Sequence, residues 1–283
     1  MMLTVQGHPA YCYTGGKAFD PGLPCAVFIH GAQNDHSVWA LQTRYFAHHG
    51  FAVLAVDLPG HGRSAGAALE TVEAQAHWLL ALLDAAGVSG GATLIGHSMG
   101  SLIALQAAAL APQRCVAMAM VGTAYPMRVS EALLAAARGP EQEAIEMVTL
   151  WSHSSLAPKP SSPGPGFSVI GGSRRLMQKV ARASNADGTP ARVFLTDFLA
   201  CNAYAGGEAA AANITCATLL LLGAADQMTP PRATATLRAA LPHATVVQVA
   251  AAGHALMAEQ PDAVLDALFK FASAARAASA TST

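Results

Sequence analysis

Gly96-His97-Ser98-Met99-Gly100 constrains this chain more than any other stretch. Ahead of it, Ala92-Thr93-Leu94-Ile95 is an apolar, partly β-branched run that predicts a buried strand. Behind it, residues 101–110 are rich in Ala and Leu and predict a helix. A serine between two glycines at a strand-to-helix junction needs a sharp, strained turn. Side chains at positions 96 and 100 would collide across such a turn, and glycine removes them. Ser98 then stands above a sheet at a helix N-terminus, where free N–H groups and the positive end of the helix dipole gather. The context predicts a nucleophile. The other reading is an ordinary strand–helix connection with a capping serine.

The rest of the chain repeats the rhythm of that junction. Residues 3–6 and 10–13 predict short opening strands. Buried strands follow at 25–29, 51–56, 92–95, 115–121, 217–222 and 245–249. Helices are expected at 37–49, 69–86 and 101–110, then at 230–240 with Thr229 as N-cap, and at 261–275. In the last helix Val264, Leu265, Leu268 and Phe271 recur at helical spacing, so that face should pack on the sheet. Buried strands alternating with helices give an α/β fold with a mostly parallel sheet covered on both faces. The alternation breaks at 125–213, where helical segments (131–138, 141–151, 173–183, 191–204) surround a Pro/Gly/Ser-rich linker, Pro158 to Gly166. The expectation is a core of residues 1–124 and 214–283 with an inserted helical lid at 125–213.

A serine hydroxyl is a poor nucleophile at neutral pH, so it needs a base, and the base needs an orienting acid. Each has a candidate at the C-terminal end of a later strand. Asp226 follows strand 217–222 after Gly223-Ala224-Ala225, and His254 follows strand 245–249. The order Ser98, Asp226, His254 suits this type of sheet. Asp57 precedes the nucleophile and opens a Pro-Gly turn, which reads as a structural role. His97, beside the nucleophile, reads as a packing residue, and His48, His49, His77 and His243 as surface residues. Acyl transfer also needs donors for a tetrahedral oxyanion. The N–H of Met99 is one. The loop His30-Gly31-Ala32-Gln33 should supply the other, from Ala32 first and Gln33 next.

Composition removes several other classes. The chain of 283 residues is 53% hydrophobic and 12% charged, with a net charge of −1. That is a globular composition with no basic surplus for nucleic acid or an anionic membrane. No apolar run reaches the roughly 18 residues of a membrane helix, and the first residues lack a secretory pattern. The five cysteines are odd in number and widely spaced, which predicts reduced thiols in a cytoplasmic protein. Neither His48 with His49 nor His30 with His36 has a partner at metal-ligand spacing, so no metal is expected. One charged feature stands out: Arg174, Arg175, Lys179, Arg182 and Arg192 lie within 19 residues, opposed by Asp187. They form either a solvated helix face or a contact for an acidic substrate.

Taken together, HGAQNDHSVW, DLPGHGRS, GHSMG, GAADQMTP and AGHALMAEQPD resemble the α/β-hydrolase superfamily, nearest in look to its esterase, enol-lactonase and carbon–carbon-bond hydrolase branches. About two thirds of the chain fits. The resemblance implies a cap over the site, a Ser-His-Asp mechanism, a small-molecule substrate and no cofactor. It suggests that Trp39 helps wall the pocket, with anchoring of its helix as the other role, and places Gln33 at the same wall. Serine at position 98 argues against the dehalogenase and epoxide hydrolase branches, whose nucleophile is a carboxylate. The expected reaction is hydrolysis of a carboxylic ester or lactone. Carbon–carbon bond hydrolysis, cofactor-free oxygenation and a non-catalytic ligand receptor are the rivals. Substrate identity stays open, as does the choice between monomer and homodimer.

Overall fold

Every residue of the stretch Cys25–Ile29 is buried, which requires cover on both faces of the sheet it belongs to. The computed structural model describes residues 1–155, 168–184 and 188–280, and it supplies that cover. Its strands are β1 (Met2–Val5), β2 (His8–Tyr13), β3 (Cys25–Ile29), β4 (Ala52–Val56), β5 (Ala92–His97), β6 (Cys115–Val121), β7 (Ala217–Gly223) and β8 (Thr245–Val249). They form one sheet in the order β1-β2-β4-β3-β5-β6-β7-β8. The first two strands run antiparallel, β2 pairs antiparallel with β4, and all later pairs are parallel.

Side chains alternate between the two faces, as the two-residue period of a strand demands. Cys25, Val27 and Ile29 of β3 join Leu94 of β5, Met118 and Met120 of β6, and Leu220 and Leu222 of β7 in one apolar cluster. Their neighbours Ala26, Phe28, Ile95, Ala119, Val121, Leu219 and Leu221 join the other. Helices α2 (Val72–Ala85) and α3 (Met99–Leu110) cover the first face, and α1 (Ala40–His48) covers the second. Thr71 caps α2 by accepting from the N–H of Ala74, which starts the helix three residues later than the sequence suggests.

Between β6 and β7 lie α4 (Glu131–Arg138), α5 (Glu141–Trp151), α6 (Val169–Val180), α7 (Val193–Ala203) and α8 (Gly207–Ala212). The first four share an apolar cluster of their own, with Leu133, Ile145, Met177, Phe194 and Phe198. Each such buried side chain contributes about 1.5–3 kcal/mol, so the insertion has a cluster apart from the main core, with Ala32 and Met228 packed against it. Its end does not follow that division: Ala210 and Ala211 of α8 sit in the core beneath α3. The linker Pro158 to Gly166, Asp187 and the last three residues lie outside the described residues.

The chain closes with α9 (Ala235–Ala240), α10 (Leu256–Glu259) and α11 (Pro261–Ala280). Val264 and Leu268 of α11 are fully buried against the sheet, and Leu265 and Phe271 flank them. All five cysteines are free thiols. Among the described residues no helix is long and apolar enough to cross a membrane.

Candidate active site

The turn after β5 has the strain its sequence predicts. Ser98 holds φ +52° and ψ −120°, a region that L-residues avoid. A Cβ on Gly96 would strike the backbone of Gly100, and one on Gly100 would strike the carbonyls of Ile29 and His30. The N–H of Ser98 donates to the Val121 carbonyl at 2.9 Å, which ties the turn to β6. Met99 is the first residue of α3, so its N–H lies among the free donors of a helix start.

Asp226 and His254 meet beside this turn. The carboxylate Oδ2 of Asp226 accepts from His254 Nδ1 at 2.8 Å. Its Oδ1 accepts from the N–H groups of Met228 and Thr229, both at 2.8 Å. Burial alone would raise this carboxyl. The His254 ring and the Thr229 donors outweigh it and hold it at about 2. An aspartate so held is ionised and accepts at His254 Nδ1, which fixes the orientation of the ring. The loop bearing His254 is anchored on both sides. The Glu259 carboxylate accepts from Gly253 N–H at 2.5 Å and from Ser154 N–H at 2.9 Å. His97 Nε2 donates to the His254 carbonyl at 2.9 Å. Burial keeps the His97 ring neutral by pushing it down to about 3, which fits its predicted packing role.

Thr229 does not cap a helix. Its hydroxyl donates to Asp226 Oδ2 at 2.7 Å and lies 3.0 Å from His254 Nδ1. The short helical turn that follows begins at Pro231, with Pro230 in the cap position. The segment Asp226-Gln227-Met228-Thr229 wraps around its own carboxylate in an Asx-type turn, and that local chemistry outcompetes capping.

Two expected pocket residues lie elsewhere. Trp39 is fully buried, with its ring 5.4 Å from Phe28 and 6.4 Å from His97. It anchors the segment before α1 to the core and does not line the cavity. Gln33 is fully buried as well and points away. Its N–H donates to Asp197 Oδ2 at 2.8 Å, and its side-chain amide donates to the Met177 carbonyl at 3.0 Å. An amide committed to a carboxylate cannot serve an oxyanion, so the Gln33 N–H is not available for that role. Gly31 places the loop directly on the turn, where a Cβ would lie 3.1 Å from the Ser98 Cβ.

Asp57 is structural. It accepts from the N–H of His36 at 2.8 Å, its ring Nδ1 at 2.7 Å, and the N–H of Arg63 at 2.9 Å. Asp35, His36 and Asp57 lie close enough together to hold a metal. Their groups are already engaged with one another, with Ser37 and with Lys179.

Ser98, His254, Gly31 and Ala32 open into one cavity of about 430 Å³. Val148, Leu176, Met177 and Phe198 of the helical insertion form its roof, and Val38, Leu41, Met257 and Pro261 its floor. No Lys, Arg, Asp or Glu is among its described lining residues. The basic stripe is elsewhere. Arg174 pairs with Glu146 at 2.7 Å and Lys179 with Asp35 at 3.0 Å. Arg192 donates to the carbonyls of Ala137 and Arg138. Arg175 and Arg182 are exposed and outside the cavity lining. None of these five residues is among the described lining residues of the cavity, which favours the solvated-face reading of the stripe.

The comparisons agree with this architecture. Residues 26–267 match the model of the alpha/beta hydrolase family. The chain is 30% identical, over 82% of its length, to the dihydrolipoyllysine-residue acetyltransferase component of the acetoin cleaving system from Cupriavidus necator, and spans 59% of that protein. It is 34% identical to lipase LipV of Mycobacterium tuberculosis over 44% of this chain and 48% of the lipase. The chain thus spans less than two thirds of either relative. In fold it is similar to the enol-lactonase of Burkholderia xenovorans, with a TM-score of 0.77 and 22% identity over 96% of this chain and 99% of the other. With its sheet, its strained serine turn and a family match over most of its length, the chain belongs to the alpha/beta hydrolase family.

Proposed function

We propose that the protein is a serine hydrolase that cleaves uncharged carboxylic esters or lactones. One observation carries the reading: a strained serine and an aspartate-held histidine open into the same cavity, with no Lys, Arg, Asp or Glu among its described lining residues. The lipase and enol-lactonase among the similar proteins support the choice of bond. In this mechanism Ser98 Oγ attacks the carbonyl carbon while His254 Nε2 takes its proton. Asp226 orients the imidazole and balances the positive charge that forms on it. The N–H groups of Met99 and Ala32 receive the oxyanion. Collapse of the tetrahedral intermediate expels the alcohol, which leaves with the proton from His254. Water, activated by the same nitrogen, then frees the acid from Ser98. Its free thiols suit a reducing, cytoplasmic setting.

The test is fluorophosphonate labelling followed by a panel of esters, lactones and ring-cleavage diketones, with oxygen uptake recorded. Ester or lactone turnover that is lost on labelling supports the proposal. Turnover confined to diketones, or oxygen consumption, would move the reaction to carbon–carbon hydrolysis or oxygenation. Tight ligand binding with no turnover would make the protein a receptor.

A further inference from the structure

Asp197 is a carboxylate on α7, fully buried in the insertion, and outside the lining of the cavity. Its Oδ2 receives two donors from the core: the N–H of Gln33 at 2.8 Å and Nε2 of His61 at 2.9 Å. His61 faces the Pro59 carbonyl with its other nitrogen, at 3.0 Å. With an acceptor at each end the ring satisfies both only as the imidazolium. Burial opposes that charge, but Asp197 and its hydrogen bond outweigh it, and the His61 pKa is raised. A buried ion pair thus joins the insertion to two loops of the core.

The consequence lies one residue away. A trans peptide unit points its C=O and N–H in opposite directions, so fixing one end aims the other. The Gly31 carbonyl accepts from His30 Nδ1 at 2.8 Å, which restrains the peptide bearing the Ala32 N–H at its carbonyl end only. The next unit is held at both ends. The Ala32 carbonyl accepts from Asn34 Nδ2 at 2.9 Å, and the Gln33 N–H donates to Asp197. Gln33 is held at φ +56°, a left-handed conformation that is strained for a non-glycine residue. Without Asp197 a buried N–H loses its acceptor while this strain favours rotation of the same peptide. Both effects would move Ala32.

We infer that Asp197, paired with His61, is a positioning residue that lets the helical insertion set the aim of the Ala32 amide toward the oxyanion. The inference rests on the serine-hydrolase reading for its kinetic consequence, though not for its structural one. Asp197→Ala should lower kcat by about 10²-fold, the scale of a misplacement of about 1 Å, and leave KM for a neutral ester nearly unchanged. Hydrogen exchange at residues 31–36 should accelerate. Asp197→Asn, whose amide oxygen can still accept from Gln33, should recover most of the rate. Asp197→Leu, apolar and nearly isosteric, carries the expectation of the alanine variant should that variant fail to fold. A folded Asp197→Ala or Asp197→Leu enzyme with kcat within about twofold of wild type, or with unchanged exchange at 31–36, overturns the inference. A wild-type protein that takes no fluorophosphonate and turns over no ester instead overturns the serine-hydrolase reading, and the exchange measurement still decides the role of Asp197.

Discussion

Thr229→Val removes one hydroxyl and keeps the shape of the side chain almost unchanged. Thr229 is 3% exposed, so solvent has little access to the place of the lost donor. In the wild type, Asp226 accepts from the N–H groups of Met228 and Thr229, the Thr229 hydroxyl and His254 Nδ1. A hydrogen bond to an ionised group is worth about 1.5–3 kcal/mol. With the other donors in place the lower end applies, so the variant should lose about 1.5 kcal/mol of stability at pH 7, equivalent to about one pH unit on the carboxyl. The pH dependence gives the sign. Asp226 is held at about 2 against 3.8 in a free chain, so its stabilisation is complete above 3.8 and lost as pH falls through about 2. The valine variant should lose its share about one pH unit earlier, and its deficit should vanish once Asp226 is protonated. Turnover should fall about tenfold, because the imidazolium of the transition state sits in a less ordered carboxylate. Denaturant unfolding across pH and steady-state kinetics read both effects, and Thr229→Ser should restore both. A valine variant equal to wild type in stability at pH 7 and in turnover would refute the reasoning.

Ser98→Ala should lose about 10³-fold or more in turnover with its fold intact, and a fluorophosphonate adduct should map by mass spectrometry to Ser98. A neutral ester should be preferred to its carboxylate-bearing analogue, because no cation is among the described lining residues of the cavity. Arg175→Ala and Arg182→Ala should leave KM for both substrates unchanged, and a rise confined to the acidic one would restore the basic stripe as a binding element. His61 is surrounded by Asp197 from α7, by Asp57 after β4 and by His30 at the end of β3. Because its pKa is raised by folding, its stabilisation is present below 6.5 and is lost as pH rises through the folded value. Thermal unfolding should show that alkaline loss in the wild type, and His61→Gln should flatten it.

The strands were legible because each one reports its burial in its own composition. Cys25–Ile29 and Ala92–His97 are buried on both faces since helices cover both. Ser98 was legible for the same local reason: two glycines and a flanking strand and helix leave one turn geometry that fits. Boundaries slipped where side chains bond to nearby backbone. Thr71 delays α2, and Thr229 forgoes a cap for the Asp226 carboxylate. Trp39 and Gln33 were harder to read for a different reason: which side of a loop faces a cavity depends on contacts far away in sequence.

Asp197 makes that last point in physical terms. Within its own helix, Val193–Ala203, it interrupts an apolar stretch and resembles a polar position on a solvent face. Its partners are 164 and 136 residues away, so no spacing rule relates them. A buried carboxylate cannot persist without compensation; Gln33 N–H and His61 supply it at Oδ2, while Oδ1 has no hydrogen-bond partner among the described residues. The chain therefore carries one carboxylate, Asp226, set by its neighbours in sequence, and another, Asp197, set by the packing of the insertion on the core. The first orients the proposed base, and the second holds the loop beside the proposed nucleophile. Substitutions within the insertion that tilt α7 should then alter turnover at Ser98 even when no cavity-lining residue changes. The roof of the cavity is coupled to the chemistry beneath it through Gln33.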